Sequence, residues 1–89
     1  MEHTWYLYIL RCGDGSLYTG ITTDVQHRLA AHASGKGAKY TRGRTPLTLL
    51  YTECCDTHSE ALKRELQVKA LPREEKEQLI SRSLSGKTS

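Results

Sequence analysis

The chain predicts an α/β (α+β) sandwich with the element order β-β-α-β-α-α, a three-stranded antiparallel sheet packed with helices. Three observations lead there. Trp5–Leu10, Leu17–Ile21 and Leu47–Glu53 are short runs of aromatic, β-branched and large apolar residues, the composition of strands. Asp24 and Thr57 are helix-capping residues placed just before apolar positions at helical spacing. At 89 residues the chain suits one domain around a single modest core.

In the first strand, expected over Thr4–Arg11, alternation puts Tyr6, Tyr8 and Leu10 on one face and Trp5, Leu7 and Ile9 on the other, so both faces should be covered. Cys12-Gly13-Asp14-Gly15-Ser16 tolerates the backbone of a tight turn and leads into the second strand as a hairpin. A helix is expected from about Asp24 to Ala33, with Arg28 and His32 one turn apart on the same side. Residues Ser34–Pro46 are small, turn-forming and basic, and read as a loop. Pro46 introduces the third strand. Thr57-His58-Ser59-Glu60 matches a capping box for a helix reaching about Ala70, and Pro72 fits the start of another. The folded domain is expected to span 1–80, with 81–89 as a flexible C-terminal tail rich in Ser, Gly and Lys.

No apolar run approaches the roughly 20 residues that cross a bilayer, and Met1-Glu2-His3-Thr4-Trp5 does not resemble a secretory leader, so the cytosol is the expected compartment. Cys12, Cys54 and Cys55 lack metal-site spacing and read as reduced thiols. The net charge of +3 is unevenly distributed. Lys36, Lys39, Arg42 and Arg44 lie in one segment without an acid, and without them the remainder is net negative. With Tyr40 interleaved, this loop could neutralise phosphates and offer a stacking surface, or simply be solvated.

The second long helix contains an oddity. Projected at about 100° per residue, Ala61, Leu62, Leu66 and Val68 form an apolar arc with Glu65 and Lys69 in its middle. A buried carboxylate needs a partner, a shifted pKa or a metal. From the residues alone, a partly exposed i,i+4 pair between Glu65 and Lys69 is the preferred explanation of the pattern.

Taken in order, Tyr6-Leu7-Tyr8, Tyr18-Thr19-Gly20, Arg28, His32 and Glu60-Ala61-Leu62-Lys63-Arg64-Glu65 resemble the GIY-YIG nuclease superfamily over about Thr4–Ile80, and most closely its small single-domain bacterial members. The resemblance implies that Tyr8 and Tyr18 are the two motif tyrosines and Gly20 the motif glycine. It also implies that Arg28 is the helix arginine, that His32 occupies a site position, and that Glu65 holds the metal. Tyr6 and Leu7 replace the first two residues of the name-giving triplet. Ile21 stands where excision-repair relatives have lysine, and Glu77 is the nearest counterpart of their downstream asparagine.

The implied activity is a metal-dependent DNA endonuclease using a single Mg²⁺ or Mn²⁺ on Glu65. Arg28 would bind the scissile phosphate, Tyr18 would activate water, His32 would relay its proton, and Tyr8 would orient water or phosphate. DNA is the expected partner, with damaged, branched or single-stranded forms and RNA all open. A monomer or weak homodimer is expected. The rival readings are a nucleic-acid-binding module of the same fold without turnover, and an interaction protein whose loop meets an acidic partner.

Overall fold

The computed structural model describes residues 4–86. Its order is β1 (Trp5–Arg11), β2 (Leu17–Thr22), α1 (Val25–Ala33), a single 3-10 turn at Lys39–Thr41, β3 (Thr48–Cys55), α2 (His58–Ala70) and α3 (Arg73–Gly86). The expected β-β-α-β-α-α architecture is present. The three strands form one antiparallel sheet in the order β2-β1-β3.

The central position of β1 explains why both its faces are apolar. Leu7 and Ile9 are fully buried and join Val68 of α2 and Ile80 of α3 in the main core, with Leu17, Ile21, Leu50, Tyr51 and Leu79 packed around them. Tyr8 and Leu10 are buried on the opposite face. β1 and β3 shift register between Ile9 and Leu10, so that Ile9 pairs with Tyr51 and Leu10 with Leu49. Leu50 is the extra residue of this bulge, and it packs on the core.

Helix ends follow the chemistry of their residues. Asp24 caps α1 by accepting a hydrogen bond from the His27 N–H at 3.0 Å. At the other end, the Gly35 and Lys36 N–H groups bond to the His32 and Ala31 carbonyls, a Schellman closure that requires the positive φ of 82° at Gly35. The Thr57 hydroxyl accepts from the Glu60 N–H at 3.1 Å to start α2.

Two expectations need correction. α3 runs on to Gly86, so Ser81–Gly86, expected as tail, is helical; residues 87–89 of that tail lie outside the described residues. The apolar arc assigned to α2 is also displaced. Ala61 and Val68 are buried, but Leu62 is 42% and Leu66 68% exposed. The seam is instead completed by Arg64, whose guanidinium bonds both oxygens of Glu53, to which the Tyr51 hydroxyl also donates. Packing a short Ala–Val seam against the sheet brings α2 close, and the longer leucines project away from it.

Candidate active site

Tyr8 lies at the centre of the predicted site residues. It pairs across the sheet with Gly20, and Tyr18 sits two residues before that glycine on the same strand. The glycine is needed for space: a Cβ there would stand 2.5 Å from the Tyr8 hydroxyl and 3.1 Å from the Tyr18 ring. The Tyr8 side chain therefore lies across β2 at this glycine. The Tyr8 and Tyr18 rings are 6.3 Å apart at their centres.

His32 is the one buried residue of α1. Its Nε2 is 2.8 Å from the Tyr8 hydroxyl, and its Nδ1 is 2.8 Å from the Thr41 hydroxyl and 3.3 Å from the Ala38 amide nitrogen. The Ala38 N–H can only donate, so we assign the Nδ1 lone pair to receive it together with the Thr41 hydroxyl. The Ala38 carbonyl, also 2.9 Å from that hydroxyl, already accepts from the Thr41 N–H. His32 then carries its proton on Nε2 and donates it to the Tyr8 oxygen. The proton of Tyr8 itself remains available for another acceptor.

This corrects one part of the sequence expectation. The hydrogen-bonded tyrosine of His32 is Tyr8, whereas Tyr18 meets the imidazole only ring edge to face, with centres 5.3 Å apart. Among the described residues the Tyr18 hydroxyl has no hydrogen-bond partner.

Arg28 and Glu65 act on the same point. Burial pushes the Tyr8 phenol up to about 12; the nearby Arg28 cation draws it partly back, while the charges of Tyr18 and Glu65 add to the rise. Burial also lowers the His32 pKa, and the Arg28 charge lowers it further. Tyr18, Arg28 and Glu65 are thus within electrostatic reach of Tyr8, and His32 is hydrogen-bonded to it, although these residues come from β1, β2, α1 and α2. The Glu65 side chain is 17% exposed, and its Oε2 lies 3.3 Å from Lys69 Nζ, so the i,i+4 pair foreseen as an alternative does form. Glu77 pairs with Arg73 on an exposed part of α3.

The His32 environment has a measurable consequence. A histidine with a lowered folded-state pKa contributes stability that is present above its unfolded value of about 6.5 and is lost as pH falls from there through the folded value. An NMR titration of the ring is expected to show a midpoint below about 6.5, with thermal stability declining below that pH; a midpoint above it would contradict the buried neutral assignment.

The loop is divided in role. Lys36, Lys39 and Arg42 are exposed. Arg44 forms an ion pair with Asp14, and its guanidinium lies 4.4 Å over the centre of the Tyr40 ring. Tyr40 in turn stacks on Tyr18 at 5.9 Å. Asp14 is held down to about 2, chiefly by hydrogen bonds from Ser16 with Arg44 assisting. The charge of Arg44 is therefore already engaged.

Sequence reasoning missed Thr41 and Gly37. Thr41 is buried against His32, and a Cβ on Gly37 would collide with the imidazole, so the loop closes directly over the ring. No local signal marked Thr41. For Gly37, the short Gly-Lys-Gly spacing after a helix end was the available hint.

Among the described residues no three His, Cys, Asp or Glu side chains cluster as metal ligands. A metal here would have Glu65 as its protein carboxylate. That suits Mg²⁺ or Mn²⁺, hard ions that accept one or two carboxylates, several waters and substrate phosphate oxygens. It does not suit a structural zinc, which takes four protein ligands.

A glycine-spaced hairpin, an arginine and histidine on the following helix, and a glutamate on a later helix are the arrangement of a GIY-YIG domain, and residues 4–78 match the GIY-YIG catalytic domain. The chain belongs to this family. Its similar relatives are UPF0213 proteins: that of Haloquadratum walsbyi is 58% identical over 79 residues, covering 89% of each chain. The UPF0213 protein of Halalkalibacterium halodurans is 58% identical over 81 residues, covering 91% of this chain and 84% of that one. Two solution NMR structures share the fold. UPF0213 protein BH0048 from Bacillus halodurans has a TM-score of 0.58 at 56% identity, covering 88% of this chain and 83% of that one. Protein EF2693 from E. faecalis has a TM-score of 0.62 at 46% identity, covering 91% and 88%. Among the described residues no helix is long and apolar enough to cross a membrane.

Proposed function

We propose that the chain is a metal-dependent endonuclease that hydrolyses phosphodiester bonds of DNA at the site around Tyr8. The observation that supports it most directly is that one buried phenol senses the charges of Arg28, Tyr18 and Glu65 while bonded to His32. Such convergence of an anion binder, a carboxylate and two phenols suits in-line attack of water on a phosphodiester.

Each residue has a distinct task. Arg28, permanently charged and able to donate two parallel hydrogen bonds, binds the scissile phosphate as its charge redistributes. Tyr8, kept protonated by its high pKa and oriented by His32, donates a hydrogen bond to the phosphate or the attacking water. Tyr18, whose hydroxyl has no partner among the described residues, accepts the proton of the attacking water on its oxygen as its own phenolic proton passes to solvent. Bound at Glu65, Mg²⁺ or Mn²⁺ would stabilise negative charge on the phosphoryl and leaving oxygens. His32 acts through Tyr8 as a positioning residue and not as the proton relay of Tyr18.

The Glu65–Lys69 ion pair favours one alternative, a nucleic-acid-binding module of the same fold in which the carboxylate stays paired and no turnover occurs. Incubation with end-labelled single-stranded, duplex and branched DNA, and with RNA, in Mg²⁺ or Mn²⁺ separates the two. Cleavage that EDTA abolishes supports the nuclease; binding of the same oligonucleotides without cleavage under any of these conditions supports the module.

A further inference from the structure

The cations that converge beside the site are not those of the basic loop. Lys69 of α2 and Lys76 of α3 line, together with Leu17, Tyr18, Thr19 and Tyr40, a cleft of about 340 Å³. Tyr18 is common to this cleft and to the reacting centre, so a strand held at Arg28 and Glu65 meets the cleft next. Lys76 is half-buried and has no ion-pair partner among the described residues. The ammonium of Lys69 is half-exposed and is shared with Glu65, and a cation bound to that carboxylate would free it toward the cleft. Arg44, by contrast, is spoken for by Asp14 and Tyr40.

We propose that this cleft is a second phosphate subsite, binding a backbone phosphate adjacent to the scissile one in a nucleic-acid strand, with Lys69 and Lys76 as its cations. The apolar bodies of Leu17 and Tyr40 form a wall against which the intervening sugar can lie. The proposal rests on the nuclease reading of the adjoining site. It adds an electrostatic grip on the α2–α3 side of the molecule to that of the exposed loop cations Lys36, Lys39 and Arg42.

The test is equilibrium binding of a fluorescein-labelled single-stranded oligodeoxynucleotide, followed by anisotropy over a sodium chloride series at a fixed low concentration of Ca²⁺, so that a cation occupies Glu65 and Lys69 is released toward the cleft. Each single-strand phosphate contact contributes a slope of about 0.7 in log affinity against log salt. Lys76→Gln and Lys69→Gln are each expected to lower the slope by about that amount and to weaken binding several-fold. Lys76→Arg keeps the slope, and Arg44→Gln leaves it unchanged. Circular dichroism melts confirm that each variant is folded. Unchanged slopes in both glutamine variants, or loss of slope in Lys76→Arg equal to that in Lys76→Gln, overturn the subsite. If the wild-type chain binds and cleaves DNA while the lysine variants bind normally, this inference alone fails. If the wild-type chain does not bind the oligonucleotide, the nuclease reading fails with it.

Discussion

Glu65→Gln is expected to abolish metal-dependent cleavage and to leave the fold intact. Glutamine has the same shape but no charge with which to hold a hard divalent cation, and removing charge stabilisation of this kind costs on the order of 10²–10³ in rate or more. The structural cost is small by comparison. The ion pair of Glu65 is with a half-exposed lysine, and such pairs contribute at most about 1 kcal/mol. Cleavage assays in Mg²⁺ and Mn²⁺ beside thermal melts of the same preparation check both halves. A Glu65→Gln protein that cuts at the wild-type rate would remove this residue from the mechanism.

The two tyrosines should separate by a crossed pattern of effects. Tyr18→Phe removes a hydroxyl without a hydrogen-bond partner among the described residues, so stability should hardly change. If that hydroxyl takes the proton of the attacking water, cleavage should fall by about 10²–10⁴. Tyr8→Phe removes the acceptor of the His32 Nε2–H in a buried place. An orphaned buried donor costs about 1–3 kcal/mol, and for a domain of this size each kcal/mol lowers the melting temperature by roughly 4–8 °C. Its rate loss should be the smaller of the two, because it orients and does not accept the proton. The reverse result, with Tyr18→Phe active and Tyr8→Phe inert but stable, would exchange the two roles.

The strands and helices were legible because their signals are local. Alternation over Trp5–Leu10, the turn residues at Gly13–Ser16 and the caps Asp24 and Thr57 each act within a few positions of themselves. The strand order was not legible, since apolar residues on both faces of β1 say that it is covered without saying what pairs with it. The orientation of α2 was misread for a related reason. Projection gives Leu62 and Leu66 weight by their hydrophobicity, but the sheet accepted the smaller Ala61–Val68 seam and gave Arg64 a carboxylate partner in Glu53. Glu65 still attracted notice as an anomaly, although it flanks the buried seam instead of interrupting an apolar face. Thr41 left no trace because a buried hydroxyl and a solvated one look alike in a loop of small residues. The Tyr8–His32 bond depended on the depth of each side chain, which neither spacing nor composition expresses.

The split of the site across the chain also bears on the order in which it is assembled. Tyr8, Tyr18, Arg28, His32 and Thr41 all belong to the segment before β3, and their mutual contacts close only short loops. Glu65 and the core residues Val68 and Ile80 follow later in synthesis. A ribosome working from the N-terminus therefore delivers Tyr8, Tyr18, Arg28 and His32 before Glu65 exists. On the proposed roles, no strand could be cut until α2 has emerged and docked.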